Sequence, residues 1–333
     1  MNDFIKNEMI THQILITMGL MSLSLFCKAQ TTADTVRSSP VTIPGNGLYE
    51  HDFLYAGEGG PETMFIVKGG SVVWAYTHPA KGEISDAVML SNGNILFAHQ
   101  FGVTLIDQQK NVLWNYDVPD GNEVHTAVPI GTDHVLFVQN GKIAKVIVMN
   151  IKTNTVEKEF EVPVGNPGQV HPQFRHARLT INGTLMLAHM DLHKIVEYNS
   201  DGKVIWTLNV PQVWGVTPLK NGNVLVAEER IPQVEEYDRT GEVVWSYSGK
   251  DLPGFKFGGW QMAYRLDNGN TIINNWAGKG NKTQVQFIEV NKQRKLVWAL
   301  RSWDQPADLG PSTILQIIDT KNRSENVQFG NIR

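Results

Sequence analysis

The chain has 333 residues, 33 Asp and Glu against 29 Lys and Arg, a net charge of -4, 41% hydrophobic residues and a single cysteine, Cys27. The apolar fraction excludes general disorder, and one cysteine excludes a disulfide scaffold and any multi-cysteine zinc or iron–sulfur site. The acidic balance argues against nucleic acid as a partner, because nucleic-acid binders normally carry a basic surplus.

Residues 1–29 have the pattern of a signal peptide. Residues 14–26 form an apolar run, which is too short for a membrane span of roughly 20 residues. Small residues then precede a predicted cleavage after Ala29. We therefore expect a periplasmic or secreted protein with no transmembrane segment in the mature chain. Lipid anchoring at Cys27 is the less favoured alternative, because the residue before a lipidated cysteine is normally small and Phe26 is not.

The mature chain divides into three parts by composition and pattern. Residues 30–46 contain a Thr-, Ser- and Pro-rich stretch, which predicts a flexible tether. Residues 47–320 contain the repeats described next. Residues 321–333 follow the last repeat as a C-terminal tail.

A tryptophan motif recurs along the chain: two aliphatic residues, Trp, any residue, and an aromatic or aliphatic residue. The copies are centred on Trp74, Trp114, Phe160, Trp206, Trp245 and Trp298. They lie 39 to 53 residues apart, which is the repeat length of propeller blades. The repeated tryptophans are interpreted as structural residues wedged between neighbouring blades.

Asn-Gly turns add a second marker to most repeats. They occur at Asn92-Gly93, Asn182-Gly183, Asn221-Gly222 and Asn268-Gly269. Asn-Gly supplies the positive-φ residues that tight hairpin turns require. Each repeat therefore predicts four short strands, which for the second blade lie near 86–91, 95–99, 103–107 and 112–117.

The first repeat lacks its innermost strand, and the far end of the chain offers a replacement. Residues 313–318 have the sequence pattern of the innermost strands of the other repeats, but no second strand of a repeat follows them. This strand can complete the first blade and close the ring, which removes free sheet edges. The predicted fold is therefore all-β: a six-bladed β-propeller of four-stranded blades, the first closed by the C-terminal strand.

Polar and aromatic side chains concentrate at one mouth of the predicted channel, where first strands begin and second strands end. Such groups are costly to desolvate unless they are paired or used, so a small-ligand funnel is predicted there. His176, Arg175 and His125 are the catalytic candidates, since a His can carry a proton near neutral pH and an Arg can hold an anion bidentately. The ligand-binding candidates are His99, His171, His189, Trp214, Glu228, Arg230, Trp260, Gln261 and Trp276.

No metal ligands are assigned. His189 and His193 have helical spacing but lie at a strand end and a loop, where this spacing does not bring both rings to one ion. Every candidate also has a structural interpretation: the histidines can hydrogen-bond the next blade, the Glu and Arg residues can form an exposed ion-paired loop, and the tryptophans can be core packing.

Two stretches resemble the repeats of quinoprotein-type β-propellers: 201–206 (DGKVIW) and 240–245 (TGEVVW). Residues 176–185 resemble a segment of bacterial arylsulfate sulfotransferases, in which a His opens a strand ending in Asn-Gly. In that family a six-bladed propeller carries His and Arg at the channel mouth and a His accepts the sulfuryl group. The resemblance implies these roles for His176 and Arg175. The repeat itself implies no quinone, so the cofactor is left unassigned.

Three classes of function remain open. The first is a monomeric binding propeller that holds a glycan or another small polar or anionic ligand. The second is an enzyme on an anionic substrate, by sulfuryl transfer through a histidine or by polysaccharide-lyase chemistry. The third is a protein-interaction scaffold, against which the polar mouth argues. Catalysis requires His176, Arg175 and His125 to converge on one reacting atom.

Overall fold

The computed structural model describes residues 42–58, 63–79, 82–278, 280–304, 309–318 and 324–333. The predicted signal segment, Cys27 and most of the predicted tether lie outside the described residues. No helix in the described ranges has both the length and the apolar character of a membrane span.

The described residues form a six-bladed β-propeller of four-stranded antiparallel sheets, which confirms the predicted fold. Each blade takes four strands that are consecutive along the chain, except for the first blade, whose innermost strand is the last one. The strands are β1 (Phe53–Gly57), β2 (Thr63–Lys68), β3 (Ser71–Thr77), β4 (Asp86–Met89), β5 (Ile95–Ala98), β6 (Gly102–Ile106), β7 (Val112–Asp117), β8 (Glu123–Ile130), β9 (His134–Asn140), β10 (Ala144–Asn150), β11 (Thr155–Val162), β12 (Phe174–Leu179), β13 (Leu185–His189), β14 (Lys194–Tyr198), β15 (Val204–Asn209), β16 (Val213–Pro218), β17 (Val224–Glu228), β18 (Gln233–Tyr237), β19 (Val243–Ser248), β20 (Gly259–Arg265), β21 (Thr271–Trp276), β22 (Phe287–Val290), β23 (Leu296–Leu300) and β24 (Ser312–Ile317). Two short 3-10 helices lie at Gly47–Tyr49 and Gly249–Asp251.

The C-terminal strand closes the ring as predicted. Strand β24 pairs antiparallel with β1, with Leu315 opposite Tyr55 and Ile317 opposite Phe53. All four of these side chains are buried. Closure thus gives β1 a partner on the channel side, and the first blade has four strands like the other five.

The hydrophobic core consists of six clusters, each between two adjacent blades. The motif tryptophans lie on the outer strands, and some of them hydrogen-bond to the next blade. The indole Nε1 of Trp74 donates to the Gln108 carbonyl of the next blade at 2.9 Å, and Trp206 donates to the Arg239 carbonyl at 3.0 Å. The structural interpretation of the repeated tryptophans is confirmed at these positions.

Asn-Gly turns form the rim of the opposite mouth. In the second blade, Gly93 has φ of 87°, a region that favours glycine. The side chain of Asn92 accepts a hydrogen bond from the backbone N–H of Asn94 at 3.0 Å.

The last ten residues pack against the propeller, a feature that the repeat pattern did not indicate. Phe329 is fully buried in the cluster between the third and fourth blades, where its ring lies 6.4 Å from that of Phe160. Val327 and Ile332 pack on the same cluster. Gly330 donates its backbone N–H to the Gly183 carbonyl at 3.0 Å, so the segment is bound to an Asn-Gly turn as well.

Candidate functional site

A cavity of about 200 Å³ lies at the mouth where the first strands begin. We call it the mouth cavity. Its lining residues come from five of the six blades and the loops beside them: Glu58, Glu83, Ser85, His171, Arg175, His176, Trp214, Glu229, Gln261, Trp276 and Thr313.

Strand direction places these side chains together. Arg175, Trp214 and Gln261 lie at the starts of β12, β16 and β20, the innermost strands of three successive blades. Trp276 ends β21, and Glu229 directly follows β17. The innermost strand and the second strand of each blade run antiparallel. The start of the innermost strand and the end of the second strand therefore lie at the same mouth of the channel.

Arg175 is the most extensively bonded side chain of the cavity. Its Nη1 donates to the carboxylate of Glu83 and to Nδ1 of His125, the latter at 2.9 Å, and its Nη2 donates to Nε2 of His171. The guanidinium carbon also lies 4.9 Å from the centre of the Trp214 ring, a cation–π distance. Both terminal nitrogens of Arg175 are therefore engaged by the protein itself.

Glu123 orients the two histidines that contact Arg175. Its Oε2 accepts from Nε2 of His125 at 2.8 Å and from Nδ1 of His171 at 2.7 Å. A carboxylate only accepts hydrogen bonds, so these ring nitrogens carry the protons. The opposite nitrogens, Nδ1 of His125 and Nε2 of His171, are left as acceptors and face Arg175.

The pKa values of both carboxyl groups around this cluster are low. Burial alone would raise the pKa of Glu83, but the neighbouring His125 and the charge of Arg175 outweigh it and hold the pKa well below its usual range. Burial is likewise outweighed at Glu123, whose pKa is lowered by hydrogen bonds from His125 and His171. Both groups therefore stay ionised at neutral pH.

His176 lines the mouth cavity as a neutral imidazole. Burial lowers its pKa well below the usual value, and the charges of Arg178 and Arg175 lower it further. Its Nδ1 is buried and has no hydrogen-bond partner among the described residues. A neutral ring of this kind can accept a proton or a hydrogen bond from a ligand.

The opposite wall of the cavity carries two further carboxyl groups. Gln261 donates from Nε2 to Oε1 of Glu229 at 3.1 Å, and the indole of Trp276 donates to Oε2 of Glu58 at 2.9 Å. Burial raises the pKa of Glu229, although its bond with Gln261 and the charge of Arg175 oppose the shift. This wall offers acceptors beside an aromatic ring.

Of the predicted site residues, the structure brings His176, Arg175, His125, His171, Trp214, Gln261 and Trp276 together at the mouth. It places His99, His189, Glu228, Arg230 and Trp260 away from the cavity lining.

The two outlying histidines are buried between or within blades. His99 lies with its ring centre 4.2 Å from that of His78 and bonds Thr104 through Nε2 at 3.0 Å. Burial, followed by the charge of His78, lowers the pKa of His99 to about 4. His189 bonds the Tyr198 hydroxyl at 3.0 Å, and burial lowers its pKa to about 3. Both serve as neutral packing residues.

The other three outlying residues also have local explanations. Trp260 is fully buried and stacks on Tyr247 with ring centres 6.1 Å apart. Glu228 is buried at the end of β17, with Gln233 donating to it at 3.4 Å. Arg230 is exposed on the following loop.

Sequence reasoning missed Glu83 and Glu123. Each stands two residues before a residue at the same mouth, Glu83 before Ser85 and Glu123 before His125. The two pairs are 40 residues apart, which equals the spacing of the corresponding motif tryptophans, Trp74 and Trp114. This repeated Glu-x-polar pattern could have identified both residues, because alternate residues of an extended strand point to the same side.

Below the mouth cavity, an ionic pair crosses the channel. Arg178 donates from Nη1 and Nη2 to the two carboxylate oxygens of Asp86 at 2.8 and 2.9 Å. Asp86 also accepts from the Thr126 hydroxyl at 2.9 Å and the Ala127 N–H at 3.2 Å. The pair lines a second cavity of about 330 Å³ on the far side, which has a largely aliphatic wall.

One group at the mouth has the composition of a metal site, although the sequence pattern assigned none. Ligand atoms of Glu83, His125 and His171 all lie within 4.8 Å of one another. The guanidinium of Arg175 lies among them in this structure.

No protein-family model matches the sequence, and no curated protein matches it either. Among solved structures, a protein of unknown function from Bacteroides caccae is 22% identical, with a TM-score of 0.70 over 80% of this chain and 98% of that chain. A streptogramin B lyase is 16% identical, with a TM-score of 0.52 over 77% and 84% of the two chains. A virginiamycin B lyase from Staphylococcus aureus, solved with quinupristin, is 13% identical, with a TM-score of 0.53 over 79% and 89%.

At these identities the likeness shows the propeller fold and nothing finer. The quinoprotein-type repeat and the arylsulfate sulfotransferase resemblance are not confirmed by the comparisons.

Proposed function

We propose that the protein binds a small, hydroxyl-rich, non-anionic ligand, such as a single sugar residue, in the mouth cavity. The observation that carries the proposal is the wall formed by Trp276, Glu58, Glu229 and Gln261. An aromatic face beside hydrogen-bond acceptors suits a ligand with apolar C–H groups and several hydroxyl donors.

The size of the cavity supports a small ligand. Its volume of about 200 Å³ lies below the roughly 300–1,000 Å³ of pockets for drug-sized molecules. Further sugar residues of a longer glycan would extend out of the mouth into solvent.

The charges of the cavity argue against the anionic ligand that the sequence left open. Three carboxyl groups line the cavity, those of Glu58, Glu83 and Glu229, and Arg175 is the one Arg or Lys side chain in the lining. Arg175 is already paired with Glu83, and its terminal nitrogens make three hydrogen bonds, to Glu83, His125 and His171. An anion held bidentately by both terminal nitrogens would have to displace at least one of the partners of Nη1.

Replacement of Trp276 by Ala tests the proposed platform. We expect the variant to bind a neutral sugar at least tenfold more weakly than the wild type, a loss of about 1.4 kcal/mol or more. Binding is measured by titration calorimetry with a sugar first identified by thermal-shift screening of neutral monosaccharides.

Trp206→Ala is the matched control, because the indole of Trp206, like that of Trp276, donates to a protein oxygen, but Trp206 lies on an outer strand away from the cavity. Its affinity should equal that of the wild type. Equal binding by Trp276→Ala and the wild type would contradict the proposed platform.

A catalytic function is the second candidate, and His176 is the observation in its favour. A neutral, buried imidazole in the cavity is in the state needed for a general base or nucleophile. Sulfuryl transfer also needs a cation for the sulfuryl oxygens, and Arg175 is engaged elsewhere. Turnover of a phenyl sulfate or a uronic-acid oligosaccharide that disappears in His176→Ala would establish the catalytic candidate.

From the predicted signal segment 1–29, we propose that this binding takes place in the periplasm or outside the cell. We propose that the mature protein acts as a monomer there, within a nutrient-uptake or envelope system. The structural relatives do not decide among these settings, because their likeness is limited to the fold.

A further inference from the structure

We propose that Glu83, His125 and His171 form a binding site for a zinc-class divalent metal ion, and that the guanidinium of Arg175 occupies the metal position in its absence. The site shares Glu83 and His171 with the mouth cavity, but the inference does not rest on the proposed sugar ligand.

The donor set fits zinc. Two imidazole nitrogens and one carboxylate oxygen are a common three-ligand set for this ion, and three protein ligands leave a fourth position for water or a ligand oxygen. The distance from Nδ1 of His125 to the Glu83 carboxylate is 3.0 Å, and the three ligand atoms lie within 4.8 Å of one another. Tetrahedral ligands held at about 2.0–2.2 Å from zinc lie roughly 3.3–3.6 Å apart, so small side-chain rotations suffice.

The protons of both histidines are placed correctly for metal binding. Glu123 accepts from Nε2 of His125 and from Nδ1 of His171, which leaves the lone pairs of His125 Nδ1 and His171 Nε2 directed at the common position. A carboxylate behind a metal-binding histidine fixes its tautomer in this way in many metal sites. Here one carboxylate orients both rings.

Arg175 shows that the position accepts a cation. Its terminal nitrogens bond all three proposed ligands. Its Nε, by contrast, is buried without a hydrogen-bond partner among the described residues, so the end of the side chain is held mainly by the groups that a metal would take. The ionised pair Glu83 and Glu123 would balance the double charge of the ion.

The site is reachable from solvent. The side chain of His171 is 48% exposed and that of Glu83 is 21% exposed, whereas His125 is fully buried. A metal ion can therefore enter from the mouth and meet a rigid ligand at the inner end. Because the side chain of His171 is exposed, His171 can be replaced without disturbing the hydrophobic core.

Titration of the metal-free protein with Zn²⁺ against a chromophoric chelator tests the proposal. We expect the wild type to bind one ion per chain, His171→Ala to lose this binding, and Glu123→Gln to weaken it about 10–100-fold. Arg175→Met, which removes the competing guanidinium, should bind more tightly than the wild type. Co²⁺ should give the visible absorption spectrum of a four-coordinate site with the wild type but not with His171→Ala.

His134→Ala is the matched control, because His134 contacts Glu157 at 3.1 Å but lies at the start of β9, by the end of β8 away from His125, and belongs to no three-ligand group among the described residues. It should bind zinc as the wild type does. No stoichiometric binding by the wild type, or binding that His171→Ala leaves unchanged while the variant remains folded by circular dichroism, would overturn the proposal. Neither outcome depends on whether a sugar binds.

Discussion

Replacement of Asp86 by Ala is expected to lower the free energy of unfolding by about 3–5 kcal/mol, the range for breaking one side of a buried ion pair. The side chain of Asp86 is only 4% exposed and accepts two hydrogen bonds from Arg178, one from Thr126 and one from the Ala127 N–H. The variant leaves the Arg178 guanidinium in the channel without a counter-charge. Urea unfolding at neutral pH measures the difference.

An exposed ion pair provides the control for Asp86. Lys220 and Asp267 lie 2.9 Å apart on the surface, and Lys220→Ala should cost less than about 1 kcal/mol. A loss below about 1 kcal/mol for Asp86→Ala would show that water or a neighbouring residue compensates Arg178, and the pair would then have no structural role in the channel.

Phe329→Ala is expected to destabilise the protein by about 3–5 kcal/mol, the range for removing a fully buried Phe side chain. The ring fills the cluster between the third and fourth blades beside Phe160 and Tyr198. Its loss opens a cavity and also frees the C-terminal segment from the Asn-Gly turn at Gly183. Thermal and urea unfolding measure the effect.

Ile181→Ala is the corresponding control, because Ile181 is 72% exposed on the same turn. It should leave stability within about 0.5 kcal/mol of the wild type. If Phe329→Ala is equally neutral, the C-terminal segment contributes nothing to the fold and its packing is incidental.

Most of the fold was predictable because each blade repeats the same pattern of four strands and the turns between them. The Trp motif marks outer strands, and Asn-Gly marks a tight turn whose glycine adopts a positive φ, as Gly93 does. Ring closure by residues 313–318 followed from counting strands. The segment around Phe329 escaped prediction because it belongs to no repeat, and a single buried ring leaves no periodic signal.

The candidate site was only partly predictable. Strand order placed Arg175, Trp214, Gln261 and Trp276 at one mouth, and the structure brings them together. Strand order does not decide which side of a blade a terminal side chain faces. His189 lies at the same mouth, yet it packs edge-on against Phe174 with ring centres 4.8 Å apart.

The partners of Arg175 could not be derived from its position alone. Its bonds depend on Glu83 and His171, which come from two different loops. The sequence suggested a free Arg for an anion, whereas the structure shows an Arg surrounded by acceptors. This difference changes the class of ligand that the cavity favours.

Calorimetric titration of the metal-free protein with neutral hexoses and with the matching hexuronic acids tests the proposed ligand class most directly. We expect a neutral hexose to bind at neutral pH and its uronic acid to bind at least tenfold more weakly, because Glu58, Glu83 and Glu229 line the cavity and Arg175 is already paired. Tighter binding of the uronic acid, or no binding of any neutral sugar, would contradict a hydroxyl-rich, non-anionic ligand.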